Sequence, residues 1–261
     1  MESNGLLDAI PLWGLFITIL LIALVSVECG YRVGRYRRDR HKEEKEAPVG
    51  TMVGAALGLL AFILAFTFGL AAERFETKRQ VVLDEANAIG TTYLRAEMLP
   101  ERGEQIRALL RDYVDTRLEA VRSRNISEGL RQSEKIQSQL WTDAVAVGEK
   151  NPNSIVVGLF VQSLNEMIDL HAKRVQAGLR SRIPSAIWVG LLAVAVLSLS
   201  AMGYLEGLPG SRRSLAILAV AVAFSVVIEL IADLDRPQGG VLNVSQQPLL
   251  DLRRSMNAPT P

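Results

Sequence analysis

The chain has 261 residues, a formal net charge of +1 and two histidines. A balance this close to neutral excludes nucleic acid as an expected partner. Apolar residues make up 49% of the chain, but they gather in four blocks, two toward each end, around one long charge-rich stretch. That distribution predicts an integral membrane protein with a single soluble insert.

The first block runs from Pro11 to Cys29. The segment before it, MESNGLLDAI, carries two acids and no base. A cleaved signal peptide starts basic, so this block is expected to remain as a membrane span. Cys29 is the only cysteine, which rules out a disulfide within one chain. The loop that follows, YRVGRYRRDRHKEEKEAPVG, holds seven Lys and Arg residues.

The second block, Thr51 to Ala72, has 22 residues and no charge. At 1.5 Å per residue it reaches about 33 Å, enough to cross a bilayer core. Gly50, Gly54 and Gly58 recur every four residues and line one face. Small residues at that spacing let helix backbones approach closely. Phe62 and Phe66 also share a face. Two readings fit the pattern: ordinary helix packing, or a helix lining a pore in which ringed phenylalanines form an apolar constriction.

The insert, 73–183, reads as all-helical. The second span is expected to continue unbroken, because Val82, Ala86, Ile89, Tyr93 and Ala96 form one apolar stripe at steps of three and four. Asn87, Thr91 and Arg95 form a polar row on another face. Pro100 is expected to break this helix, Ser127 to cap a later one, and EKNPNS, residues 149–154, to form a turn. A last insert helix from about Ser154 would run up to Pro184 and feed the third span.

The third span, Pro184 to Leu205, has no charge, and the fourth runs from Ser214 to about Ala232. Trp13 and Trp188, and Tyr31 and Tyr204, fall where membrane interfaces are expected. The fourth span ends in Glu229, Asp233, Asp235 and Arg236, followed by Pro237, Gly239 and Gly240. A carboxylate at the bilayer centre costs about 2.5–3.5 kcal/mol, and less near the interface. Asp233 and Arg236 are spaced to pair on a helix, Pro237 ends it, and the glycines allow a tight reversal. The expected organisation is therefore residues 1–72 as spans one and two with a basic loop at 30–50, then the insert 73–183. Spans three and four cover 184–235, and 236–261 forms a turn and tail.

Four spans put both termini and the insert on one side. Basic residues number nine in the loops opposite the insert and eight among those flanking the spans on its own side. By the positive-inside rule this favours the insert outside, by one residue. No phosphate-cradling loop, serine elbow or histidine–carboxylate metal pair occurs, so no enzyme, cofactor or metal site is expected. His171 reads as a surface or packing residue.

Two stretches together carry a resemblance. LAFTFGLAAERFETKRQVVLDEANAIGTTYLRAEMLP resembles the signature of bacterial bestrophin-like membrane proteins, with Arg74, Phe75, Glu85, Asn87, Gly90, Thr91 and Arg95 in its pattern. IELIADLDRPQGGVLNVSQQPLLDL is similar to the segment where the bestrophin fourth span ends in acids and turns. The resemblance implies an all-α membrane protein with four transmembrane helices and a helical insert continuous with spans two and three. It implies a pentameric homo-oligomer in a bacterial inner membrane, in contact with lipids and conducting inorganic ions through an apolar neck. Residue by residue, that neck would be Phe66, Phe62 and position 58, where Gly58 replaces a bulky apolar residue. It also places the insert in the cytoplasm, against the charge count. Animal bestrophins bind calcium through acids after the fourth span. RPQGGVLN has none of these, so calcium control is not expected. The competing expectation is a non-conducting membrane protein whose insert binds a partner or senses the envelope.

Overall fold

A computed structural model describes residues 10–40, 46–99, 101–209, 215–237 and 240–258. The helices are α1 (Leu12–Arg40), α2 (Glu46–Glu97), α3 (Gly103–Arg122), α4 (Ile126–Lys150), α5 (Ile155–Val175), α6 (Ser185–Gly207), α7 (Leu215–Asp235) and α8 (Gln247–Met256), with a π-helical turn, Gln176–Arg180, after α5. Among the described residues, four helical stretches are long and apolar enough to cross a membrane. They cover the four blocks read from the sequence except Pro11 and Ser214, the first residues of the first and fourth. The fold is all-helical, as the resemblance implies. Contacts divide the chain into two units: residues 1–75 with 181–243, and residues 76–180 with 244–261.

In the first unit α1 packs along α6 and α7. Two glycine pairs let α1 and α6 touch through their backbones. An added Cβ on Gly30 or Gly34 would overlap the carbonyl oxygens of Ser200 and Tyr204, and one on Gly203 or Gly207 would overlap those of Val27 and Tyr31. Helices approach this closely only where side chains are missing. Leu15, Ile19, Leu60, Leu64, Leu191, Ile228 and Ile231 fill the adjoining core. The Ser198 hydroxyl on α6 donates to the Ala56 carbonyl of α2 at 3.1 Å.

Helix α1 extends well beyond Cys29, so residues 30–40 of the expected basic loop are helical. Nothing in YRVGRYRRDR breaks a helix, and Gly30 and Gly34 are held against α6. Residues 41–45, including His41, and 210–214, including Ser214, lie outside the described residues.

The second unit is a bundle of the later part of α2 with α3, α4, α5 and α8. The predicted stripe faces its core: Val82, Ala86, Ile89, Tyr93 and Ala96 are all buried. Ala86, Ile89, Tyr93 and Ala96 pack with Leu110, Tyr113, Leu140, Phe160, Leu164 and Leu249. Pro100, expected to end α2, lies outside the described residues; the helix stops at Glu97. The N-cap of α4 is Asn125 rather than Ser127, with Asn125 Oδ1 accepting from the Glu128 amide at 3.3 Å. Ser154 caps α5 by accepting from Val157 N at 3.4 Å.

The expected run of helix up to Pro184 takes a different form. α5 passes into the π-helical turn, and residues 181–184 are non-helical before α6 begins. Proline disfavours helix in the residue before it, and the Ile183 amide is bound instead by Asp235 Oδ1 at 2.9 Å. The tail also differs. Within 236–261 a short helix, α8, buries Leu249 and Met256 in the second unit.

Candidate functional site

Helix α2 has two unlike faces in the first unit. Leu60, Leu64, Thr67 and Ala71 are buried in the core. The other face is open, with Phe62 69% and Phe66 64% exposed. The glycines read as a packing face belong to this open side. An added Cβ on Gly54 or Gly58 would meet nothing within 4 Å, and one on Gly50 would reach only Leu205 Cδ2 at 3.9 Å. In the first unit the close backbone contacts of helix glycines are made by α1 and α6. The α2 glycines, together with Phe62 and Phe66, present a small-and-aromatic surface that no part of the described chain covers.

The signature residues fall into distinct environments. Arg74 is half-buried, and its Nη1 donates to Ser181 Oγ at 3.4 Å. Phe75 packs against the core of the first unit. In the second unit Asn87 and Thr91 are exposed, while Arg95 Nη1 donates to the Leu159 carbonyl at 2.6 Å. Gly90 faces α8, where an added Cβ would stand 3.2 Å from Leu252 Cδ1.

Glu85 is the centre of a network that sequence reading missed. Its carboxylate is fully buried. Arg174 Nη1 donates to Oε2, and Arg117 Nε lies 3.4 Å from Oε1. The Tyr113 hydroxyl donates to Oε1 at 3.0 Å. Gln137 Nε2 and His171 Nδ1 both approach that hydroxyl, at 3.3 Å and 2.9 Å. Since the hydroxyl hydrogen goes to Glu85, His171 fits as the Nδ1–H tautomer. Arg174 Nη2 also donates to Gln246 Oε1 at 2.7 Å, which ties the segment before α8 into the network. His171 is thus a buried network member and not a surface residue.

Burial alone would raise the Glu85 pKa, but the guanidinium groups of Arg174 and Arg117 outweigh it and hold the carboxyl below its usual range. Burial, followed by the charge of Arg117, pushes His171 down to about 4. Burial also raises the Tyr113 phenol, which therefore stays a neutral donor. At neutral pH the cluster holds one carboxylate, two guanidiniums and a neutral imidazole.

The acidic end of α7 is a backbone clasp in the first unit. Asp233 accepts from the amides of Val241 at 2.9 Å and Leu242 at 3.0 Å. Gly240 sits against the same carboxylate, where any Cβ would overlap Oδ1. Asp235 takes the Ile183 amide, and its own carbonyl accepts from Arg182 Nη1 at 3.2 Å. Arg236 Nη2 donates to the Ile10 carbonyl at 2.5 Å. Glu229 and Pro237 are half-buried, and Gly239 lies outside the described residues. Among the described residues no group of three or more His, Cys, Asp or Glu side chains is placed to hold a metal.

A model of the bestrophin-like domain matches residues 20–249. The chain belongs to the bestrophin-like family. It is a membrane protein of the bestrophin type. No curated protein matches its sequence. Among solved structures it is similar to variants of a bacterial bestrophin homologue from Klebsiella pneumoniae. One has a TM-score of 0.64 at 14% identity, with 94% of this chain and 97% of that chain covered. Another has a TM-score of 0.63 at 15% identity, covering 92% and 99%. A variant of a crystallised membrane protein has a TM-score of 0.64 at 13% identity, covering 94% and 97%. At these identities the likeness shows the bestrophin fold, and it extends over both units.

Proposed function

We propose that this bestrophin-like protein is a homo-oligomeric ion channel of a bacterial inner membrane, in which each copy turns the open face of α2 toward a common axis. The observation that carries the reading is the exposure of Phe62 and Phe66 on a helix whose opposite face is packed in the core. Copies related by a ring would bring these phenylalanines together as two apolar rings, a constriction of the kind that gates by dewetting. The small residues Gly54 and Gly58 on the same side leave room above the rings. By resemblance the ring is a pentamer, the spans are multi-pass and surrounded by lipid, and the ions pass along the axis. The same frame favours transport over catalysis.

The oligomer is the first thing to measure. Native mass spectrometry of detergent-solubilised protein should return a closed ring of copies, five by resemblance. A monomer would make an axial pore untenable. Gly58, where the family has a bulky neck residue, favours a second reading: a non-conducting member whose insert binds a partner. Crosslinking that captures only copies of the chain itself would count against it.

A further inference from the structure

Helix α1 does not stop where its apolar run ends. It continues without a break past Cys29 to Arg40, and residues 31–40 hold five arginines and one acid. Gly30 and Gly34 fix this extension against α6, so it stays in line with the span. On the side turned away from those glycines, Leu21, Val25, Cys29 and Val33 follow at steps of four, and all are exposed. Arg32, Tyr36 and Arg40 form the adjoining row, also exposed. Arg32 gives its Nε to Glu28 Oε1 at 2.8 Å, yet its side chain is still 77% exposed. Arg40 Cζ stands 4.6 Å over the Tyr36 ring. Arg37, three residues before Arg40, is exposed, and its guanidinium has no partner among the described residues.

We infer that the end of α1 binds the phosphate headgroup of an anionic phospholipid, with an acyl chain lying along Leu21, Val25 and Cys29. The inference goes beyond the channel reading and needs only that the spans sit in a bilayer. At 1.5 Å per residue, Arg32 lies about 5 Å past Cys29 and Arg37 about 12 Å. The headgroup layer is about 5–8 Å deep on each side. Arg32 therefore falls inside it, and Arg37 and Arg40 are long enough to reach back into it. Guanidinium forks match phosphate oxygens, and a tyrosine ring favours this depth. Local acids do not cancel the charge. Residues 31–50 hold seven bases against four acids, and 206–213, at the same end of the spans, add two bases against one acid. A basic cluster directly beside a span attracts anionic lipid.

Native mass spectrometry tests this on the full-length protein, titrated in detergent with dioleoyl phosphatidylglycerol or dioleoyl phosphatidylcholine. The parent should bind the anionic lipid at least about five-fold more tightly. Arg32→Gln/Arg37→Gln/Arg40→Gln should bring the two lipids to near-equal affinity. Arg122→Gln/Arg124→Gln/Arg131→Gln, which removes the same charge from exposed sites on the insert, should keep the parent preference. sn-Glycerol 3-phosphate, a soluble phosphate with no acyl chain, should not displace the bound lipid. Equal affinity of the parent for both lipids would overturn the inference, as would a triple α1 variant that keeps the full preference. Equal loss in the insert variant would reduce the effect to net charge and overturn the site. Displacement by glycerol 3-phosphate at concentrations matching the lipid would make it a free-phosphate site instead. If the triple α1 variant does not purify folded, Arg37→Gln alone takes its place, since that side chain has no partner in the chain to lose.

Discussion

Gly30 and Ser200 meet backbone to backbone: a Cβ on the glycine would overlap the Ser200 carbonyl oxygen. The contact repeats one turn on, at Gly34 and Tyr204, and in the reverse sense at Gly203 with Val27. In the first unit, glycine-mediated packing therefore joins α1 to α6. Gly54 and Gly58 of α2 remain available to something outside the chain.

This makes a contrast that substitutions can read. Gly30→Leu or Gly203→Leu forces the helices apart and should cost about 1–3 kcal/mol, the usual range for overpacking. Thermal unfolding of the detergent-solubilised protein should show a lowered midpoint for both. Gly54→Ala and Gly58→Ala, whose added methyl groups meet open space within the chain, should leave the monomer's own stability within about 0.5 kcal/mol of the parent. Equal losses at all four positions would contradict the assignment.

The Glu85 network should govern the second unit. Glu85→Ala leaves Arg117 and Arg174 buried without their carboxylate, and removing one partner of a buried pair costs about 3–5 kcal/mol. Limited proteolysis should then cut within the second unit under conditions that spare the parent. A parent-like digestion pattern would show that the pair contributes little.

The same network predicts acid sensitivity in two steps. His171 is held at about 4 against an ordinary value of 6.5, so the unfolded chain binds the extra proton first. Its part of the stability should fall as pH drops from about 6.5 to about 4. Glu85 is shifted the other way relative to its charge. Its contribution is complete above the usual carboxylate range and is lost as pH falls through the lowered value. Unfolding midpoints measured across this range should decline from near 6.5 downward, and His171→Gln should flatten the upper part of the slope while sparing the lower. A His171→Gln profile that overlays the parent would contradict the first step.

At the end of α7, Asp233 and Gly240 act as one unit. Asp233→Ala removes the acceptor of two part-buried amide bonds, at about 1.5–3 kcal/mol for each hydrogen bond to a charged group. Gly240→Ala drives a methyl into the carboxylate. Both should lower the unfolding midpoint, and the double variant should cost less than the sum of the two, since either change alone breaks the clasp. Strict additivity would mean that the residues act separately.

Much of this fold was legible in the residues. The uncharged run from Thr51 to Ala72 and the stripe from Val82 to Ala96 need only local periodicity, and both faces of α2 follow from it. The clasp at Asp233 was partly legible: the acid, proline and glycine spacing announced a helix end, but not which amides the acid would bind. The Glu85 network was not legible, because its partners come from helices 28 to 89 residues away in sequence and no local pattern links them. Arg174 reads as one more base before the third span until its burial is known. The spacing of four in Gly30–Gly34 and Gly203–Gly207 was visible, but pairing those two glycine steps requires knowing that α1 and α6 are neighbours. α8 also carried a signal, with Leu249, Leu252 and Met256 spaced along one side of a helix after Pro248.

Single-channel recording speaks to the open face of α2 itself. Purified oligomer in planar bilayers should carry discrete unitary currents, and Phe66→Ala, which removes one of the two proposed apolar rings, should enlarge them several-fold. A well-folded oligomer that stays silent at every voltage, both as the parent and as Phe66→Ala, would contradict an axial pore lined by α2.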